Sequence, residues 1–354
     1  MLLPNNKILS ILGLSLSLVF FNSCEKKAKE TTVEEDKENV EKLFDDIVVQ
    51  AEDFKNGCGL RSIDNFYNLE NGTARNQTWV DDITRALDAA LDYDYIDQTR
   101  QFDFNRHAGT YQWNGTSFTK SASPSDKVIV EAPARMGQPS NNAVATVSSY
   151  TQQSTTFDGT TYWLPNTTSL NVKVDNSDCM GLELEKAVYD NGTFMMPIDA
   201  KMNINLSPFD FEVATNRTTG NTYNMSMKAL NAGNEKFGIE AEMTFADSDF
   251  SDFTGEDVER AVGKITYGDF TLPFDVNIKA LGDLINPSQT QINQMVQVSV
   301  EYQGKKIADL EFQDASTQTI IIIYKDGSRE DLYSEYEELA DRLEVVFSDF
   351  VSQW

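Results

Sequence analysis

Histidine is almost missing from this chain: His107 is the only one. Any serine or cysteine nucleophile activated by imidazole would have to work through that single ring. It stands in Phe104-Asn105-Arg106-His107-Ala108-Gly109, which reads as the loop entering a sheet, so a surface histidine is the plainer reading. No nucleotide-binding glycine loop, no H-E-x-x-H and no G-x-S-x-G occurs. Positive charge is scarce as well. Against 56 Asp and Glu stand 29 Lys and Arg, for a net charge of −27. So acidic a chain repels nucleic acid and anionic membrane surfaces over a Debye length, and nucleic acid is not an expected partner. No apolar run reaches the roughly 20 residues that a spanning helix needs. Cysteine is limited to Cys24, Cys58 and Cys179, without C-x-x-C or Cys/His metal spacing, so neither a metal nor a cofactor is expected.

Carboxylates are too abundant to single out a catalytic pair, and a carboxylate-based hydrolase is the minor enzymatic alternative to a non-enzymatic role. Two acidic groups have the donor chemistry of a calcium site: Asp247, Asp249 and Asp252 before Glu256, and Asp92, Asp94 and Asp97. Both lack the glycine position and the full spacing of an EF-hand loop, so a solvated acidic surface is the better reading.

What is present begins at the N-terminus. Lys7 precedes an apolar run from Ile8 to Phe21, followed by Asn22, Ser23 and Cys24. The order of a charged region, a short apolar region and a small residue is that of a cleaved secretory signal. It resembles the lipobox of bacterial lipoproteins, although Phe21 stands where Leu is usual and Asn22 is larger than the typical Ala or Ser. The Phe run with Ser before Cys is similar to lipoproteins of Bacteroidetes-type Gram-negatives. The resemblance covers residues 1–24 and implies that Cys24 becomes the lipidated N-terminus. The body would then be held at the outer membrane, on the periplasmic or the surface side, by acyl chains worth about 0.8 kcal/mol per buried CH₂. Cys58 and Cys179 would remain, either as one disulfide or as two separate thiols; export favours pairing.

The rest divides by period. Residues 1–23 are the signal, 24–32 a flexible tether, 33–105 a helical region, 106–327 a β region and 328–354 a terminal helix. Thr32-x-x-Glu35 offers a capping box. Val40, Leu43, Phe44, Ile47, Val48, Ala51 and Phe54 then form a helical stripe from Val33 to Phe54. Gly57-Cys58-Gly59 should end that helix. Two more are predicted, from Leu60 to Leu69 and from Trp79 to Tyr95. From Thr110 onward apolar residues alternate. Asn114-Gly115 is set for a tight turn, as are Asp158-Gly159, Asn191-Gly192, Gly220-Asn221, Ala232-Gly233 and Gly304-Lys305. The fold class is therefore α+β: a large antiparallel meander, half-barrel or barrel-like, packed by N-terminal and C-terminal helices. Ile320-Ile321-Ile322-Ile323-Tyr324 should be a strand covered on both faces, and Ser328 should cap the last helix. Gly192–Ala200 and Gly268–Val276 share a Gly-x-Phe-x-x-Pro-apolar-Asp pattern, which marks either a duplicated hairpin or a chance likeness.

Seven of the ten methionines lie between Met180 and Met243. Met202, Met225, Met227 and Met243 fall on the apolar phase of strands, as an adaptable apolar-ligand face or as core filling. At the level of architecture such a sheet is similar to the half-barrel carriers of lipids and lipoproteins, the LolA-like group. The expected role is non-enzymatic binding of an apolar ligand or lipid. The alternative is a surface module for glycan or an envelope protein, motivated by Trp113, Tyr162 and Trp163 in hairpins.

Overall fold

Period-two patterning after Thr110 becomes a single 16-stranded sheet. The computed structural model describes residues 31–67, 83, 85–87, 90, 99–135, 137–191, 196–250, 257–284, 287–314, 319–332 and 339–346. Two helices come first, α1 (Val33–Asn56) and α2 (Cys58–Tyr67), then one turn, α3 (Phe104–His107). The strands are β1 (Gly109–Trp113), β2 (Phe118–Ser121), β3 (Val128–Ala132), β4 (Ala143–Phe157), β5 (Thr160–Val174), β6 (Ser177–Val188), β7 (Asp199–Leu206) and β8 (Phe209–Thr219). They continue as β9 (Thr222–Asn231), β10 (Asn234–Phe245), β11 (Val258–Tyr267) and β12 (Phe270–Asn277). Helices α4 (Ile278–Gly282) and α5 (Gln289–Met295) intervene before β13 (Val296–Tyr302), β14 (Lys305–Asp314), β15 (Thr319–Tyr324) and β16 (Arg329–Asp331). Residues 339–346 form the described part of a C-terminal helix, α6.

Strand order follows chain order from β16 to β3 and then runs β1-β2, so the sheet is open, with β2 and β16 as its edges. The alternative of a closed barrel is not realised. Two-residue turns set the meander: Asp158-Gly159, Asp175-Asn176, Ala232-Gly233 and Gln303-Gly304 all have positive φ at both positions, the backbone that matches strand twist. One pairing departs from the meander. β2 occupies the edge beyond β1, so β3 joins β1's other side in parallel, Gly109 opposite Val128 and Tyr111 opposite Val130. The first hairpin turn also slips by one residue. Asn114 accepts from the N–H groups of Thr116 and Ser117 at 3.0 Å each, leaving Gly115-Thr116 at the turn centre.

The chain falls into two compact units: residues 1–52 with 215–345, and residues 53–214 with 346–354. In the first, α1 begins with the expected box. The Thr32 N–H donates to Glu35 at 2.8 Å and the Glu35 N–H to Thr32 Oγ1 at 3.2 Å. Phe44 and Ile47 of the stripe are buried. So is Asp36, at 0% exposure, a carboxylate on the apolar side of the helix. Lys325, in the β15–β16 turn, forms an ion pair with its Oδ2 at 3.0 Å and also donates to the Thr31 carbonyl at 2.5 Å, while the Thr31 hydroxyl donates to Oδ1. Beside it Lys37 pairs with Glu330 at 2.6 Å, and the Tyr324 hydroxyl donates to Glu330 at 2.9 Å. Farther along the helix, Gln50 accepts from Asn231 at the end of β9.

Arg329–Asp331 corrects the expected start of the last helix. Instead of following Ser328 as a first helical turn, these residues form β16 and pair with Ile321–Ile323. An apolar strand with both faces buried needs ladder partners on both edges, and β14 supplies only one. Ile321 and Ile322 point to opposite faces and each is 3% exposed. Leu332, Leu339 and Val346 of the predicted stripe are buried; Tyr336, Phe347 and Phe350 lie outside the described residues.

A second correction concerns residues 278–295, which lie inside the expected β region of 106–327 and contain two short helices. Asn277 caps α4 by accepting from the Ala280 N–H, and Ser288 and Gln291 form a capping box on α5. The two Pro-containing segments are not equivalent. Asp199 opens β7, whereas Pro273 and Asp275 lie within β12, and Gly192–Met195 are outside the described residues. Opposite β13 the ladder skips Leu272 and Pro273, where the missing proline donor would fall.

In the second unit, Gly57 alone separates α1 from α2, and Cys58 and Gly59 already belong to the turn of the second helix. A Cβ on Gly57 would lie 2.1 Å from the Ser207 carbonyl oxygen, and one on Gly59 2.8 Å from that of Cys179. The helix corner therefore rests on the backbone of the β6–β7 region, and Gly59 donates to the Ser207 carbonyl at 3.2 Å. Cys58 and Cys179 are joined there as a disulfide, 121 residues apart in sequence. Of the predicted third helix, Ile83, Arg85–Leu87 and Ala90 are described as helical, with Ile83 buried.

Two stability outcomes are expected. The double variant Cys58→Ser/Cys179→Ser should lower unfolding free energy by up to about 5 kcal/mol, the chain-entropy ceiling for a loop this long, read from urea midpoints. Lys325→Ala should cost about 3–5 kcal/mol by stranding a buried carboxylate. It should cost more than Asp36→Ala, because the half-exposed lysine can turn to water.

Candidate functional site

The strand registers turn the alternating pattern of the first unit into rows that run across the strands. The middle row is Met225 (β9), Ala241 (β10), Gly263 (β11), Phe274 (β12), Val298 (β13), Leu310 (β14) and Ile322 (β15), each directly opposite the next. One row away lie Tyr223, Met243, Ala261 and Val276; on the other side lie Met227, Ile239, Ile265 and Leu272. All share one face, because side chains two apart on a strand point the same way. The opposite face is charged and cross-paired: Lys264 with Glu240 at 2.9 Å, Arg260 with Asp275 at 2.6 Å and Lys228 with Glu235 at 2.7 Å. Exposed pairs of this kind add about 0–1 kcal/mol each, so they define the wet side more than they stabilise it.

Burial differs between rows. Tyr223, Ala261 and Val276 are buried in one flanking row, and Ile265 in the other. One step farther out, Ala229, Phe237, Tyr267 and Phe270 are buried too. In the middle row none of the six residues from Met225 to Leu310 is buried; only Ile322, at its β15 end, is. At one end of this face Tyr223, Phe245 and Phe250 stack edge to face, with centroids 5.3–5.9 Å apart. At that end Asn293 of α5 also holds the backbone of Phe312, accepting from its N–H at 2.9 Å and donating to its carbonyl at 3.1 Å. Between these borders runs a partly open apolar row across six strands, about 24 Å at ordinary strand spacing. Gly263 marks a close approach of the β10 backbone at its centre: a Cβ there would stand 2.0 Å from the Glu240 carbonyl oxygen.

Met225, Met227 and Met243 are thus brought together on one apolar face, all half-buried. Met202 belongs to the other unit, where it lies opposite Leu184 and beside the Leu182–Ile204 and Met180–Leu206 pairs. The residues that sequence reasoning passed over, Ala241, Gly263, Phe274 and Leu310, are those that make the row continuous. Each lies on the apolar phase of its own strand, but only the register shows which ones align.

The other candidates are dispersed. His107 ends α3, half-buried, with its ring stacked on Phe102 at 5.0 Å and its carbonyl accepting from the Tyr111 hydroxyl at 2.8 Å. Trp113 lies on β1 against Phe118, ring centroids 5.2 Å apart. Tyr162 and Trp163 are neighbours within β5, so they face opposite ways and do not form one platform with Trp113. Asp247 accepts from the Asp249 N–H at 2.8 Å as a local turn. Asp252, Glu256, Asp92, Asp94, Asp97 and Cys24 lie outside the described residues. Among the described residues no cluster of ligand-type side chains has the arrangement to hold a metal ion. Nor, among them, is any helix long and apolar enough to cross a membrane.

On the wet face of the second unit, hydrogen bonds from Lys201 and then Asn203 hold the Glu185 carboxyl below its usual range; Asn171 and then Lys173 do the same for Asp178. These are exposed surface groups and set up no acid–base pair. No protein-family model matches the sequence, and no curated protein matches it either.

Gly263→Ala should be destabilising by at least about 1–3 kcal/mol, the ordinary cost of overpacking. Chemical denaturation would read the change, and amide exchange should show it centred on the β10–β11 ladder.

Proposed function

We propose that this protein is an envelope-tethered, non-enzymatic binder of an apolar ligand, a lipid or a molecule with a long acyl chain. Lipidation at Cys24 would hold the acidic body beside the outer membrane, and 24–32 would give it reach. The single observation that supports the ligand class is the half-buried middle row, Met225 to Leu310, bordered by buried residues on both sides. A row of this length is on the scale of an extended fatty acyl chain. Burying such a chain contributes about 0.8 kcal/mol per CH₂, enough for useful affinity without any charged contact. Methionine suits the task, since its unbranched thioether adapts to ligands of varied shape.

The test is direct. Protein purified from its native envelope, extracted with organic solvent, should yield apolar molecules by mass spectrometry. A fluorescent fatty acid should bind the delipidated protein with little dependence on salt. Met225→Glu and Phe274→Glu should each weaken that binding at least tenfold, while Val262→Thr on the charged face leaves it unchanged. Absence of both co-purified lipid and probe binding in a folded protein would end this reading.

A further inference from the structure

Between Arg135 and Lys173 the only charged side chain is Asp158, in a chain where charged residues make up 24%. This neutral stretch contains the β4–β5 hairpin, the longest in the sheet. Beyond Val147 β4 has no β3 partner, and before Thr168 β5 has no β6 partner, so the distal hairpin stands on its own two strands. Its rigidity comes from elsewhere. The Gln152 side chain accepts from the Phe102 N–H at 3.1 Å and donates to the Phe102 carbonyl at 2.7 Å. Gln153, pointing to the other face, does the same with Tyr189, at 3.2 Å and 2.8 Å. Two adjacent glutamines thus act as surrogate peptide groups and clamp the hairpin from both sides. Thr155, 3% exposed, adds a bond to the Asp190 carbonyl at 2.5 Å.

The clamped hairpin has one hidden and one open face. Thr155 and Leu164 are buried on the first. On the second, Trp163 is directly opposite Ser154, with Thr156 opposite Thr161 one step on; the three hydroxyl residues are exposed and Trp163 is half-buried. We infer that this face is a binding platform for a neutral glycan, with Trp163 stacking on a sugar ring and Ser154, Thr156 and Thr161 bonding its hydroxyls. Charge is what selects the ligand. An anionic polysaccharide would meet a body of charge −27 and no cation within the distal hairpin itself, and a cationic ligand would find no carboxylate there beyond Asp158. A flat aromatic among hydroxyls, held rigid beforehand, matches a neutral ring with an apolar C–H face and an equatorial rim of hydroxyls. Preorganisation keeps the ordering cost of such a weak, polar contact low.

Affinity electrophoresis of the full chain tests the assignment, using gels that contain a neutral β-glucan, a neutral α-glucan, a mannan or anionic alginate. Retardation is expected in at least one neutral gel and not in alginate. Trp163→Ala should weaken it at least tenfold, and so should Thr156→Lys, which leaves the aromatic and the clamp in place. Tyr162→Ala, on the hidden face, should have little effect if circular dichroism shows a folded protein. No retardation in any neutral gel, retardation unchanged in folded Trp163→Ala and Thr156→Lys, or stronger retention in alginate would each overturn the inference. The fatty-acid binding of the first unit is read separately, so either result leaves the other standing.

Discussion

Alternation along a strand makes every strand two-sided, and a sheet built from such strands must hide one side from water. That constraint governs the molecule. The wet side is dealt with locally, by basic side chains and carboxylates facing one another across adjacent strands. The apolar side has to be covered by segments distant in sequence, and in the first unit the cover is concentrated at the borders. There α1 meets the β15–β16 turn and the end of β9, and α5 meets β14. The rows between keep some access to solvent. Apolar surface of that kind normally has a counterpart, either another protein surface or a ligand.

How much of this was legible depended on the range of the interaction. The capping box at Thr32, the α1 stripe and the Asp158-Gly159 and Ala232-Gly233 turns are local, and the residues announce them; the turn expected at Gly304-Lys305 falls one residue earlier, at Gln303-Gly304. Asp36 is partly legible in hindsight: it sits four residues before Val40 on the apolar stripe, where an acid is out of place. Nothing nearby names its partner, since Lys325 lies at the far end of the chain. The same applies to Gly57 and Gly59, whose need for a missing side chain comes from Ser207 and Cys179. Ser288-x-x-Gln291 was a readable helix start that the surrounding strand pattern masked.

The candidate site was legible by residue type and not by arrangement. Methionines on an apolar phase pointed to the face, but phase says nothing about which residues stand side by side. Register does, and it gathers Met225 with Ala241, Gly263 and Phe274 while assigning Met202 to a different unit. The aromatic reading was also sorted by geometry. Adjacent positions 162 and 163 cannot share a face of one strand, which leaves Trp163 alone on the open side of the clamped hairpin.

A meander laid down in chain order suits a polypeptide that is delivered from one end. Each new strand has a finished edge waiting for it, so most of the ladder can zip up during delivery. The ion pair at Asp36 follows a different schedule. Its carboxylate is made early and its ammonium arrives 289 positions later, so docking the first helix properly requires the last hairpin. In this protein that contact can close only after the β15–β16 turn has been made, and a chain cut short before Lys325 would carry an acid on a surface meant for burial.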